Sequence, residues 1–143
     1  MTARQYFEKI NILHERMIEK QLKLQDLRDA SISLGISYEG ERVQSNSDKD
    51  KMGAIVSKIV DADRDYQLSI GEYYEYLYGA ERKIGSMENK EYKDVLHKHY
   101  IEGMTIKDIA RATKKSFDSV KSQNKRALST FQKTLLTDTD DLC

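Results

Sequence analysis

Two long stretches of the sequence carry apolar side chains at alternating spacings of three and four residues. This periodicity is typical of a narrow helical stripe that pairs with one other helix, as in a coiled coil. The chain has 143 residues and no proline, which favours uninterrupted helices over irregular connections. The sequence therefore predicts an all-α fold with two long helices. The two ladders are Tyr6, Ile10, Leu13, Met17, Lys20, Leu24 and Leu27, then Met52, Val56, Ile59, Asp63, Tyr66, Ile70, Tyr73, Leu77, Ala80 and Ile84.

Each ladder is interrupted by one charged residue, Lys20 in the first and Asp63 in the second. In an antiparallel arrangement that places these two residues opposite each other, all the remaining residues of the first ladder meet an apolar or aromatic residue of the second. We therefore predict an antiparallel, coiled-coil-like hairpin over residues 1–85, whose register is set by a buried Lys20–Asp63 pair. The same ladders would also fit a pairing between two chains, so the spacing leaves a homodimer open.

Capping patterns mark where the two long helices start. Thr2 and Gln5 have the spacing of a capping box, and Ser47 begins a similar pattern before the second ladder. Residues 31–47 lose the periodicity and gather Gly, Ser and Asn, which predicts a long loop. Its role stays open between a flexible connection and a surface that contacts a partner.

The last third of the chain has the pattern of three helices separated by tight turns. Ser86 is a candidate cap for the first helix, and Gly103 ends it, because glycine takes the left-handed conformation without a Cβ penalty. Thr105 and Ser116 are candidate caps for the second and third helices. Apolar residues at helical spacing supply the buried faces of those two helices: Ile106, Ile109, Ala110, Val120, Ala127, Leu128, Phe131 and Leu135.

The charges of the chain are unevenly distributed, although its formal net charge is zero. Residues 92–136 hold ten Lys/Arg and four Asp/Glu, whereas residues 1–91 and 137–143 each carry a net charge of −3. A basic helical unit of this kind suits duplex DNA, where cationic side chains displace condensed counterions. We therefore predict a helix-turn-helix DNA-binding domain over residues 86–136 and an acidic tail over residues 137–143.

The same residues resemble the last region of bacterial sigma factors, which reads the upstream promoter element. They also resemble the sigma-like regulators of phages and prophages of Gram-positive bacteria, including late-transcription activators of the ArpU and RinA type. A looser resemblance to phage-associated regulators lies at Gly40-Glu41-Arg42-Val43-Gln44-Ser45. The main resemblance covers roughly the last third of the chain. It is carried by Tyr100-Ile101-Glu102-Gly103-Met104-Thr105-Ile106-Lys107-Asp108-Ile109-Ala110, Ser116, Val120-Lys121-Ser122 and Arg126-Ala127-Leu128.

Three residues depart from the pattern of that family. Lys114 and Lys115 stand where the family usually has a glycine and then an aliphatic residue, and Asn124 replaces a common leucine. Lys114 must therefore take a strained left-handed conformation, or the turn has another shape.

The resemblance implies that the third helix of this unit enters the major groove of DNA. Ser122 and Gln123 would also suit ordinary solvated helix positions, and Lys121 could reach either a base or a phosphate. The residues expected to read base edges are Asp118, Ser119, Lys121, Ser122 and Gln123. Those expected to hold the DNA backbone are Thr105, Lys107, Lys114, Lys115, Lys125 and Arg126.

The sequence lacks the motifs of an enzyme or a metal protein. His97 and His99 are two residues apart, which places them on different faces of a helix, and no set of ligands surrounds them. We expect no catalytic residue, no metal and no cofactor. Cys143 is the only cysteine, which excludes an intramolecular disulfide. No apolar run has the length of a membrane span, so the sequence predicts a cytoplasmic protein without a membrane partner.

These observations lead to a sequence-specific DNA-binding regulator of transcription, sigma-like or a phage late-gene activator, as the expected function. In sigma factors the equivalent region also docks on RNA polymerase, and the resemblance implies that partner here too. One alternative is a phage assembly protein such as a terminase small subunit, which would also combine a helix-turn-helix with a helical hairpin. Another is a protein-binding adaptor that has lost its affinity for DNA.

Overall fold

The structure is a computed structural model that describes the backbone of residues 1–33 and 46–141 and the side chains of residues 1–33 and 50–137. All regular elements in these described ranges are helical. The predicted all-α fold is therefore confirmed. The elements are α1 (Ala3–Ser33), α2 (Asn46–Gly85), α3 (Lys90–Leu96), a π-helical turn (His97–Ile101), α4 (Ile106–Thr113) and α5 (Phe117–Asp141).

The capping box predicted at the start of α1 is present. The backbone N–H of Gln5 donates to Thr2 Oγ1 at 3.1 Å, and the backbone N–H of Thr2 donates to Gln5 Oε1 at 2.9 Å. This reciprocal pair satisfies N–H groups that have no partner within the helix. α2 starts at Asn46, one residue before the predicted Ser47.

Two predicted segments lie only partly within the described residues. In the predicted loop 31–47, helix α1 continues through Ser33, while residues 34–45, which include the Gly40–Ser45 resemblance, lie outside the described part. In the predicted acidic tail, α5 continues to Asp141 instead of ending at residue 136. Residues 142 and 143 also lie outside the described part.

The described chain divides into two compact units, and the division falls inside both long helices. One unit comprises residues 12–33 and 46–73, here called the hairpin unit, and the other comprises residues 1–11 and 74–141, here called the C-terminal unit. This division does not coincide with the boundary predicted between residues 85 and 86. Helical periodicity shows that a face is covered but not which element covers it, so a domain boundary inside a helix leaves no mark in the pattern.

The hairpin unit consists of antiparallel segments of α1 and α2. Among the described side chains, three ion pairs join the two helices, Arg16–Glu72, Lys20–Asp65 and Arg28–Asp63, and their partners run in opposite order along the chain. Leu13 and Leu24 of α1 are buried, as the first ladder predicts.

The predicted register pair is wrong. Lys20 Nζ lies 3.9 Å from Asp65 Oδ2, and Asp63 Oδ1 lies 4.0 Å from Arg28 Nη2, with all four side chains at least 35% exposed. In the part of α2 that belongs to the hairpin unit, the buried positions are Ala62 and Ser69, each 4% exposed. They directly precede Asp63 and Ile70 of the predicted ladder. Within the hairpin unit the buried stripe of α2 is therefore rotated by about one residue, or roughly 100°, which moves Asp63 toward solvent and Arg28, whereas Ala80 and Ile84 are buried as the ladder predicts.

The C-terminal unit has a core built from five helices. The rings of Phe7 and Tyr100 are stacked with 4.3 Å between centroids, and Phe7 and Phe131 lie 4.6 Å apart. The first turns of α1 therefore belong to the core of the predicted DNA-binding domain. The buried apolar residues of this unit are Ala3, Tyr6, Phe7, Ile10, Ala80, Ile84, Met87, Val95, Leu96, Ile109, Ala110, Val120, Ala127 and Phe131.

The cap of α3 differs from the prediction. Ser86 does not cap this helix, because its hydroxyl donates to the carbonyl of Lys83 at 2.7 Å. Asn89 is the cap, and its Oδ1 accepts hydrogen bonds from the backbone N–H groups of Glu91 and Tyr92 at 3.0 and 3.1 Å. Asn and Ser are about equally good caps, so the choice between them depends on where α2 ends.

Candidate nucleic-acid interface

Helix α4 is positioned by the turn that precedes it. Gly103 has φ +76°, as predicted for a residue past the end of a helix. Thr105 caps α4, with its Oγ1 accepting from the backbone N–H of Asp108 at 3.1 Å. Ile109 and Ala110 are buried, and α4 packs against α5. The opposite side of α4 is left to polar residues, among them Lys107 and Arg111, which are both exposed.

Three residues connect α4 to α5, a length that is usual for a helix-turn-helix. Lys114 ends α4 in the left-handed conformation at φ +59°, ψ +37°, which is one of the two conformations predicted for it. The backbone N–H of Lys115 donates to the carbonyl of Ala110 at 3.0 Å. A non-glycine residue pays roughly 1–2 kcal/mol for this conformation. The turn thus keeps its tight shape with two exposed cations in the place of a glycine and an aliphatic residue.

Helix α5 presents a buried face and an exposed face. Ser116 caps it, with its Oγ accepting from the backbone N–H of Ser119 at 3.1 Å. Val120, Ala127 and Phe131 are completely buried. Since the helix turns by about 100° per residue, the residues on the far side of α5 form one continuous exposed strip. They are Asp118, Ser119, Lys121, Ser122, Lys125 and Arg126.

The structure places ten of the eleven predicted DNA-contacting residues at exposed positions on α4, on α5 or in the short turns that precede them. Gln123 is the exception, because it is half-buried at the edge of the exposed strip of α5. Its Nε2 donates to Glu91 Oε2 of α3 at 2.8 Å. The hydroxyl of Thr105 accepts the capping bond but keeps its own proton for another acceptor.

The basic side chains on this surface form no ion pair with the side chains that the structure describes. Residues 105–126 contain seven Lys/Arg and two Asp, and none of the seven cations lies within 4.0 Å of a carboxylate of residues 1–33 or 50–137. In the hairpin unit, by contrast, Arg16, Lys20 and Arg28 each have an acidic partner. We name the exposed basic surface of residues 105–126 the basic face.

Asn124 lies beneath the basic face, at the position where the resembling family has a leucine. Its Nδ2 donates to Tyr100 Oη across a long 3.4 Å, and its buried Oδ1 has no hydrogen-bond partner among the described residues. A buried polar atom without a partner costs about 1–3 kcal/mol. We therefore expect Asn124 to destabilise the packing of α5 against the π-helical turn.

Sequence reasoning missed two residues at this surface. Arg111 follows Lys107 by four residues on α4, so the i,i+4 spacing already placed both cations on one face. Glu91 is 32 residues from Gln123 in the chain, and no local pattern could have connected them.

No protein-family model, curated protein or solved structure matches this chain. Within the described ranges, no helix combines the length and apolar character needed to cross a bilayer.

Proposed function

We propose that this protein is a sequence-specific double-stranded DNA-binding regulator of transcription, not an enzyme. The observation that carries the proposal is the basic face, where seven cations without an acidic partner among the described side chains lie on and beside the exposed side of a helix that follows a three-residue turn. A helix of this exposure and charge suits the major groove, because its polar strip can meet base edges while the flanking cations meet phosphates.

In this proposal Asp118, Ser119, Lys121, Ser122 and Gln123 read base edges. An aspartate accepts from cytosine, a glutamine bonds adenine with two hydrogen bonds, and a lysine donates to guanine. Thr105, Lys107, Lys114, Lys115, Lys125 and Arg126 hold the phosphates, and Arg111 joins them. The resemblance to the last region of sigma factors supports a cytoplasmic, phage-derived regulator that contacts RNA polymerase, as a monomer or a homodimer.

The first test is the salt dependence of binding to duplex DNA. Each phosphate contact contributes about −0.9 to the slope of log K against log salt. The variant Lys114→Ala/Lys121→Ala/Lys125→Ala should reduce the size of that slope by roughly 3. A matched control is Lys23→Ala/Lys51→Ala/Lys58→Ala, which removes three exposed lysines of the hairpin unit and should leave the slope unchanged. Absence of salt-dependent binding to any duplex would refute the proposal and favour an adaptor.

The second test identifies the target. Fragments of host and phage genomes are selected on the full chain, with and without RNA polymerase. Recovery of promoter-proximal sites supports regulation, whereas a ring of many subunits by light scattering, without promoter enrichment, would favour an assembly protein.

A further inference from the structure

Glu91 of α3 touches the proposed readout surface of α5. Glu91 Oε2 accepts a hydrogen bond from Gln123 Nε2 at 2.8 Å, and a hydrogen bond to a charged carboxylate is stronger than one between neutral groups. The backbone of Glu91 is fixed at the start of α3, because its N–H donates to Oδ1 of the cap residue Asn89 at 3.0 Å. The side chain of Gln123 is thus anchored from a second helix, whereas its neighbours Lys121 and Ser122 are exposed and make no such bond to a described residue.

This contact fixes which way round the Gln123 amide lies. An ionised carboxylate has no proton to donate, so the NH₂ group of Gln123 must point toward Glu91 and Oε1 must point away from it. Two polar functions of the amide remain, one N–H and the oxygen. An adenine in the major groove needs this combination, because its N7 accepts a hydrogen bond and its N6 donates one.

We propose that Glu91 is a positioning residue that holds Gln123 to read the adenine of an A·T pair. The inference rests on the proposed DNA-binding function and specifies one base of its target. Without Glu91, the amide of Gln123 is free to turn by 180° and to adopt other rotamers, so the order of its donor and acceptor is no longer fixed. Discrimination at that base pair is then lost even though Gln123 is still present.

The charge of Glu91 gives the proposal a distinctive signature. A carboxylate beside the interface repels phosphates, so its removal should leave the affinity for random DNA unchanged or increase it. Loss of positioning should lower the affinity for the selected site. A residue that only supports the fold would, when removed, lower the affinity for both duplexes.

The experiment measures the affinity of the full chain for its selected site and for random duplex, using wild type, Glu91→Ala, Gln123→Ala and the double variant. Glu91→Ala should lower the ratio of specific to random affinity by roughly tenfold, within the range of one bidentate base contact. In the Gln123→Ala background, Glu91→Ala should not lower this ratio further. Replacement of the A·T pair that Gln123 reads should weaken the binding of the wild type to the selected site, but it should not weaken the binding of Glu91→Ala.

Glu88→Ala is the matched control, because Glu88 is an exposed carboxylate before α3 with no bond to Gln123, and it should leave the ratio unchanged. Circular dichroism checks the fold, and Glu91→Gln, which keeps the size of the side chain, replaces the alanine variant if that variant unfolds. If the wild type binds no DNA sequence more tightly than random duplex, both the proposed function and this inference are refuted. If wild type is selective and Glu91→Ala keeps the wild-type ratio, the inference alone is overturned.

Discussion

Phe7 and Tyr100 are stacked face to face, with 4.3 Å between their ring centroids and 12° between their planes. Phe7 lies in the first turns of α1 and Tyr100 in the π-helical turn before α4, so residues 93 positions apart share one core. Phe7 is 2% exposed. The interface helices are therefore supported by a segment from the opposite end of the sequence.

We expect Phe7→Ala to lower the free energy of unfolding by about 3–5 kcal/mol, because it removes a buried ring and leaves a cavity against Tyr100 and Phe131. Ile12→Ala on the same helix is the control, since Ile12 is 49% exposed, and it should change stability by about 0.5 kcal/mol or less. Urea denaturation followed by circular dichroism measures both. Equal stability of the two variants would show that the aromatic core does not support this unit.

Gly103 and Lys114 provide opposite tests of the left-handed helix ends. We expect Lys114→Gly to stabilise the protein by about 0.5–1 kcal/mol, because relief of about 1–2 kcal/mol of strain exceeds the added entropy of the unfolded chain. Gly103→Ala should destabilise it by a similar amount through strain alone, since an added Cβ meets no atom within 4 Å. The control Lys115→Gly removes the same charge at a residue without positive φ and should not stabilise. Urea denaturation measures the midpoints of all three variants. A lower midpoint for Lys114→Gly or a higher one for Gly103→Ala would contradict the left-handed conformations assigned to these residues.

Asn124→Leu should raise the stability by about 1–2 kcal/mol. The substitution removes a buried oxygen without a partner at the cost of one long hydrogen bond to Tyr100, and the shapes of the two side chains are similar. Ser129→Leu is the control at an exposed position of α5 and should give little or no gain. A decrease in the melting temperature of Asn124→Leu would mean that the amide makes a stabilising interaction.

The ion pairs of the hairpin unit predict which substitutions are coupled. Lys20→Leu and Asp63→Leu should have additive effects within about 0.5 kcal/mol, because the two residues contact different partners. Lys20→Leu and Asp65→Leu should show a coupling of about 0.2–1 kcal/mol, the range of exposed pairs. Double-mutant cycles by denaturation distinguish the two cases. A larger coupling for Lys20 with Asp63 would restore the register predicted from the sequence.

Tyr76 should make stability fall at high pH. Burial, with a smaller contribution from the neighbouring Tyr6, raises the pKa of Tyr76 from 10.0 to about 12, and its hydroxyl donates to the Tyr6 carbonyl at 3.1 Å. The stabilisation is complete below pH 10 and is lost as the pH rises toward 12, where the folded protein also ionises. Wild type should therefore lose stability more steeply than Tyr76→Phe over this range. Denaturation at several pH values measures the stability of both proteins. If the two stabilities fall in parallel as the pH rises, Tyr76 does not contribute to the pH dependence.

The sequence by itself determined the helical character of the described chain and several of the helix ends. The capping box of Thr2 and Gln5, the cap Thr105, the cap Ser116 and the left-handed Gly103 depend on residues within a few positions of one another, and all are present as predicted. The same is true of the buried and exposed faces of α4 and α5, because helical spacing alone assigns them.

Only the tertiary structure decided which elements cover those faces. Ala62 and Ser69 carry a weaker apolar signal than Ile70, yet they are the buried residues of α2 within the hairpin unit, where small side chains let a neighbouring helix approach closely. The contact of Phe7 with Tyr100 and the hydrogen bond of Glu91 to Gln123 join residues far apart in the chain, and no local spacing encodes such pairs. Periodicity records that a side chain is covered, but its partner depends on how the whole chain packs.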